Sequence, residues 1–215
     1  MKIPVLSYSF VSMYKRCPKQ AYHTYVVKDI KRVETEAMRY GNEVHSALEN
    51  AIKTSEPLPE DLAQAQPFLA ALGPGCHAEL QLAMNDNGGP CDYWGTSVLF
   101  RGKLDVFKTE GNRALIVDWK TGKTREDPTE LEYHAMLALV HNPDLSSIDG
   151  MYVWLKTDKL GKRYKLINKA RDLVSETIRL KKELDACLIE ERWPARPTPL
   201  CGWCPVSTCQ FNLKV

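Results

Sequence analysis

The sequence predicts an α/β fold, a central mixed sheet flanked by helices, and three observations carry that expectation. Apolar residues recur at helical spacing through the first third of the chain, several apolar runs of strand length fill the centre, and the last of these leads through a helix into a further strand. A long helix and a tail rich in proline and cysteine follow. With 215 residues, of which 44% are hydrophobic, one elaborated domain is expected. It should comprise a helical part over 1–75, a sheet core over 76–167, and a long helix with the cysteine tail over 168–215.

Taken in order, Ser7 can cap a short helix that ends near Cys17-Pro18. From Glu36 to Lys53, the residues Met38, Gly41, Val44, His45, Leu48 and Ile52 fall on one helical stripe, which places His45 on an apolar face. Asp61 to Leu72 reads as a further helix closed by Gly73-Pro74-Gly75. Strands are expected over Ala78 to Met84, Val98 to Lys108 and Arg113 to Lys120, the last two forming a hairpin around Glu110-Gly111-Asn112. Pro128 to His141 should be an amphipathic helix and Gly150 to Leu155 a strand, a strand–helix–strand crossover. Lys156 to Lys165 is a basic connector, and Asn168 to Trp193 is the long helix.

Composition narrows the function classes. A formal net charge of +2 and a pI near 8.1 neither demand nor exclude nucleic acid, so any basic surface must be local. The apolar run in Met1 to Ser7 is too short for a secretory signal, and no run is long enough to span a bilayer, so no membrane partner and a cytoplasmic, reducing location are expected. Seven cysteines, an odd number, argue against a closed disulfide framework and direct attention to metal or cluster ligands.

The chemistry concentrates in Ile116-Val117-Asp118-Trp119-Lys120-Thr121-Gly122. Two residues apart on a strand, Asp118 and Lys120 face the same way, and an apolar lead-in makes an ionised pair there expensive unless it serves a metal, a substrate or a partner. The short hairpin brings Asp105 to nearly the same level as Asp118, so two carboxylates converge. Such a pair suits Mg2+ or Mn2+, and His45 is a candidate imidazole. Carboxylate-held metal plus a lysine is an arrangement suited to phosphodiester hydrolysis, which needs an activated water and stabilisation of charge on phosphate.

These residues carry a resemblance. Gly41-x-x-x-His45, Gly102-Lys103-Leu104-Asp105 and Val117-Asp118-Trp119-Lys120-Thr121-Gly122, in this order, resemble the RecB-like branch of the PD-(D/E)XK nuclease superfamily. The resemblance implies a restriction-endonuclease-like core and a Mg2+- or Mn2+-dependent DNA exonuclease. It implies His45, Asp105, Asp118 and the Trp119 backbone carbonyl as metal ligands, and Lys120 as the catalytic amine. Glu79 matches a less constant acidic position that acts through water. Members of this branch often carry Gln-x-x-x-Tyr on the helix after the active strand. Here Glu130 and His134 take those places, with Tyr133 beside them, and the bland reading is an ordinary amphipathic helix with Glu130 facing solvent or supporting a ligand.

Cys201-x-x-Cys204 followed by Cys209 supplies three thiols, with Cys17 distant in sequence. The pattern is similar to that of iron–sulfur exonucleases in the same branch, including those of CRISPR adaptation. By that likeness Cys17, Cys201, Cys204 and Cys209 would hold a 4Fe-4S cluster that staples the chain ends together. Zinc is the rival, since four cysteines with a C-x-x-C half also make a structural zinc site. Cys76, Cys91 and Cys187 read as isolated thiols. DNA contacts are expected from Lys123, Arg125 and Tyr133 near the active strand and from Tyr14, Arg16 and Tyr22 near the N-terminal cysteine. Partners would be DNA, single-stranded or with accessible ends, and a helicase, recombinase or integrase. The alternative is a non-catalytic DNA-binding scaffold module.

Overall fold

The computed structural model describes residues 1–31 and 33–212. The chain divides into two compact units, one built from both ends (Met1–Val33 with Thr177–Val215) and one from Glu34–Glu176.

In the terminal unit, helix α1 (Tyr8–Arg16) starts at Ser7, whose hydroxyl accepts the Phe10 N–H at 3.3 Å, and stops where Cys17 turns extended ahead of Pro18. Pro18 opens the short α2 (Pro18–Ala21), a first-turn position at which its missing N–H leaves no bond unmade, and a π-helical turn follows over Tyr22–Val27. Phe10, Val11, Tyr14 and Ala21 are buried. The ring of Trp193 meets Tyr14 edge-on and stacks on Tyr22 at 4.9 Å between centroids.

The larger unit holds the sheet. Helix α3 (Glu36–Thr54) begins at Thr35, whose side chain accepts the Met38 N–H. Where one helix was expected over Asp61 to Leu72, the chain forms a 3-10 helix over Glu60–Ala65 and then α4 (Gln66–Leu72). Pro67 lies in the first turn of α4 and has no N–H to continue a helix from the preceding turn. The strands are β1 (Cys76–Asn85), β2 (Pro90–Cys91), β3 (Val98–Glu110) and β4 (Arg113–Lys120), then α5 (Thr129–His141), β5 (Ser147–Trp154), β6 (Lys159–Leu160) and β7 (Tyr164–Lys165). The sheet order is β2-β1-β3-β4-β5-β6, with β7 also on β5. Only β4 and β5 pair in parallel among the described strands, so the sheet is mixed.

One face of the sheet contributes Val106, Val117, Trp119 and Val153 to a core with Val44 and Leu48 of α3 and with Leu58, Leu62 and Ala65. On the opposite side, α5 is not the expected amphipathic helix. Leu131, Tyr133, His134, Ala135, Met136, Leu137 and Ala138 are all buried, so apolar or half-apolar residues surround its axis. Close approach of α5 is permitted by a missing side chain: a Cβ at Gly102 would lie 2.9 Å from Leu137 Cδ1.

The basic connector is more ordered than its composition suggests. It carries β6 and β7, and Arg163 and Tyr164 donate to Asp149 and Glu126, each at 2.7 Å. Helix α6 (Ile167–Ile189) ends four residues before Trp193. Glu191 adopts a left-handed φ of 51°, and Pro194 disfavours helix at the residue before it. Among the described residues, no helix is long and apolar enough to cross a membrane.

Candidate metal centre

The β3–β4 ladder ends at Val106↔Val117, one step short of Asp105 and Asp118. Beyond that step a side chain substitutes for backbone pairing: the Trp119 N–H donates to Asp105 Oδ2 at 2.9 Å. The Trp119 indole meanwhile is buried in the core on the α3 face. Apolar packing on one side thus fixes the backbone that sets both aspartates, which are themselves only 8% and 3% exposed.

A first group of ligand atoms comes from α3, β1 and β3. His45 Nδ1 lies 3.3 Å from Asp105 Oδ1 and 3.8 Å from Glu79 Oε1. Glu79 sits within β1 at a left-handed φ of 52°, a conformation strained for a residue with a side chain, and its carboxylate also meets the Lys103 ammonium. Burial opposes the charged imidazole, but hydrogen bonds to Asp105 and Glu79 outweigh it and push the His45 pKa up to about 10. Burial likewise tends to raise the Glu79 and Asp105 carboxyls, yet His45 holds both below their usual range, helped at Glu79 by Lys103.

A second group lies on β4 and α5. Lys120 Nζ stands 2.6 Å from Asp118 Oδ2 and 2.7 Å from Glu130 Oε2, and His134 Nδ1 lies 3.9 Å from Asp118 Oδ1. Burial and the neighbouring Asp105 push Asp118 well above the carboxylate range, against the pull of Lys120. Burial would lower the Lys120 pKa, but Asp118 and Glu130 raise it, so the ammonium stays charged. Burial lowers His134, which is therefore neutral near pH 7. Glu130, half-buried, does not stand free in solvent: it accepts from the lysine. The available sequence signal was the i, i+4 spacing of Glu130 and His134 one short connection after the active strand.

The donor chemistry fits a hard divalent cation. Carboxylate oxygens and imidazole nitrogens from His45, Glu79 and Asp105 lie within 4.8 Å of one another, as do those from Asp118, Glu130 and His134. His134 Nδ1 is buried without a hydrogen-bond partner, a costly state that a ligand would relieve. The sequence-derived set of His45, Asp105 and Asp118 is therefore divided between two adjoining groups of donors.

In the terminal unit, Cys17, Cys201 and Cys204 line one cavity of about 230 Å³, together with Arg16, Gln20, Arg196 and Trp203. The Thr198 N–H donates to Cys201 Sγ at 3.2 Å. The Lys19 N–H bonds the Pro194 carbonyl, and the Arg196 guanidinium bonds the Lys15 carbonyl, so backbone from both chain ends meets beside these thiols. Among the described residues, no three cysteine sulfurs lie within 4.8 Å of one another.

Two of the expected DNA contacts are corrected. Tyr133 is 3% exposed and stacks on Phe100 at 5.1 Å, because its helix is buried on that side. Tyr14 is 5% exposed, and its hydroxyl donates to Glu183 at 2.8 Å. Tyr22 is half-buried against Trp193, whereas Lys123, Arg125 and Arg16 are exposed, with Arg125 paired to Asp127 at 3.1 Å.

Fold and site together define an α/β protein with a carboxylate-lined centre opening where two strands part. A model of the PD-(D/E)XK nuclease superfamily matches residues 74–209, and the chain belongs to that superfamily, whose nucleases use divalent metals. Among solved structures, the protein SSO0001 aligns with a TM-score of 0.51 at 15% identity, over 99% of this chain and 89% of its own. A candidate exonuclease from Eubacterium rectale aligns with a TM-score of 0.49 at 12% identity, over 95% of this chain and 94% of its own. The first of these likenesses is one of fold. No curated protein matches the sequence.

Proposed function

We propose that this protein is a Mg2+- or Mn2+-dependent DNA exonuclease of the RecB-like branch. The observation that carries the reading is the convergence of Asp105, Asp118, Lys120, His45 and Glu79 at the point where β3 and β4 part. Asp105, Asp118, His45 and the Trp119 carbonyl would hold the cation, with Glu79 acting beside them. Bound there, a divalent cation lowers the pKa of water and offsets negative charge on phosphate. Asp118 and Glu130 hold Lys120 charged and in place, so its ammonium can orient the attacking water or stabilise charge developing on the phosphate oxygens. The Trp119 N–H fixes the Asp105 carboxylate, which limits reorganisation as the substrate arrives. Exposed Lys123 and Arg125 follow the active strand and would contact the DNA backbone.

Degradation of end-labelled single- and double-stranded DNA with Mg2+ or Mn2+ tests the reading. Asp118→Ala and Lys120→Ala should each lower the metal-dependent rate by at least about 10²-fold, on the scale of losing one electrostatic stabiliser. Undiminished activity in both variants overturns the site, and DNA binding without turnover under any divalent metal would favour the scaffold alternative.

The same proposal extends to a 4Fe-4S cluster on Cys17, Cys201, Cys204 and Cys209. Thiolates on one zinc, with bonds of about 2.3 Å in tetrahedral array, lie roughly 3.8 Å apart. Cluster ligands each bind a different iron and stand wider, so the two groups differ in the sulfur separations they require; Cys17, Cys201 and Cys204 line one cavity, which supports a shared site. Protein purified without oxygen should be brown and contain iron and sulfide; a colourless, zinc-loaded sample would count decisively for zinc.

A further inference from the structure

The turn between β2 and β3 has an unusual composition. The Gly95 N–H closes Asp92-Tyr93-Trp94-Gly95 on the Asp92 carbonyl at 2.9 Å, and a Cβ on Gly95 would stand 3.0 Å from that oxygen, so the turn is built around the glycine. Its two corner positions, usually given to glycine, proline, asparagine, aspartate or serine, hold Tyr93 and Trp94. The rings meet edge to face at 5.0 Å between centroids, yet Trp94 is 74% exposed. An indole left in water forfeits the stabilisation that burial would give it.

Arg101 on β3 holds the pair in place. Its guanidinium lies over both rings, 5.0 Å from the Tyr93 centroid and 4.6 Å from that of Trp94. Its Nη1 donates to the Tyr93 carbonyl at 3.4 Å, a bond that leaves the positive charge uncompensated. An exposed aromatic face backed by a flat, delocalised cation is a surface suited to a nucleobase.

The position of this turn points to the same ligand. The β3–β4 ladder ends at Val106↔Val117, but β1–β3 pairing continues to Asn85↔Val98, so the hairpin runs on past the metal centre. Arg101, Lys103 and Asp105 alternate along β3 and share a face. At roughly 3.4 Å per residue, Arg101 stands about 13 Å along the strand from Asp105, or about four base steps of a stacked nucleic-acid strand.

We propose that Trp94, backed by Tyr93 and Arg101, stacks an unpaired base of single-stranded DNA that leads to the centre. The proposal rests on the nuclease reading and deepens it: a base must leave its duplex to lie on the ring, so a single-stranded end is the preferred substrate. Asp86 and Asp92 lie beside the same turn, so ring surface more than net charge supplies the attraction, and salt should scarcely change it.

Fluorescence anisotropy of labelled oligothymidine, with chelator present, measures binding without hydrolysis. Trp94→Ala should weaken binding by about fivefold or more, the lower end for losing one base-stacking ring, and by the same factor at low and high salt. Trp94→Tyr, which keeps a ring, should stay within about twofold of the wild type. An abasic sugar-phosphate strand should bind the wild type and Trp94→Ala equally. Equal affinity of the wild type and Trp94→Ala for oligothymidine overturns the proposal, as does a loss that Trp94→Tyr shares or that duplex DNA shows in the same measure. No single-strand binding by the wild type, with hydrolysis intact once metal is added, overturns this proposal alone. No binding and no metal-dependent hydrolysis overturn it and the nuclease reading together.

Discussion

His45 carries a charge that its burial opposes, and that conflict has a measurable consequence. In the metal-free protein its pKa rises from an unfolded value near 6.5 to about 10, because Asp105 and Glu79 favour the imidazolium. A group raised in the folded state contributes stability that is complete below the unfolded pKa and is lost as pH climbs through the folded one. In the presence of chelator, the stability advantage of the wild type over His45→Gln should therefore shrink from pH 6.5 to pH 10. Thermal midpoints across that range check it, and a constant difference would sink it. Asp105, Asp118 and Lys120 could be grouped from the sequence because strand alternation and hairpin register are short-range rules that fix facing directions, and His45 could be put on an inward face from helical spacing. Glu130 and His134 could be named but their contacts could not be read, because nothing in the sequence shows which way a helix turns against a sheet. Tyr133 was misread for the same reason: one position from His134, it points into the core instead of toward DNA.

At the scale of elements, β1 contains the costliest local feature of the site. Glu79 is held at φ 52° in the middle of a strand, and left-handed backbone costs a residue with a Cβ about 1–2 kcal/mol. The conformation turns its carboxylate toward His45 and Lys103. Glu79→Gly and Glu79→Ala both remove the carboxylate, but only glycine relaxes the backbone, so Glu79→Gly should be the more stable variant by about 1 kcal/mol. Urea denaturation of the two distinguishes them, and equal stabilities would mean that the backbone relaxes without help. Most elements were readable from periodicity, including α3, β3 and β4, whereas α5 was located as a helix but its burial on all sides was not foreseen. The division of the expected helix before β1 followed from Pro67, and the strands β6 and β7 escaped notice because two-residue pairings leave no periodic trace in a run of lysines.

For the molecule as a whole, the two chain ends form one unit around Cys17, Cys201 and Cys204, so any group bound there restrains both ends at once. Cys201→Ser should lower the content of that group and expose both 1–31 and 190–212 to limited proteolysis, with Glu34–Glu176 resistant. Cleavage unchanged from the wild type would show that the thiols are structurally idle. The pairing of distant ends could be suspected from cysteine spacing, whereas the boundaries near residues 33 and 177 could not, since one continuous helix runs through the second of them. The sheet contains one further consequence. The Trp119 amide proton is bonded to a carboxylate placed to receive a cation instead of to a neighbouring strand, so its exchange with solvent and its resonance frequency make it a built-in gauge of occupancy. A single backbone signal can thus report, without substrate, the moment at which the centre is loaded.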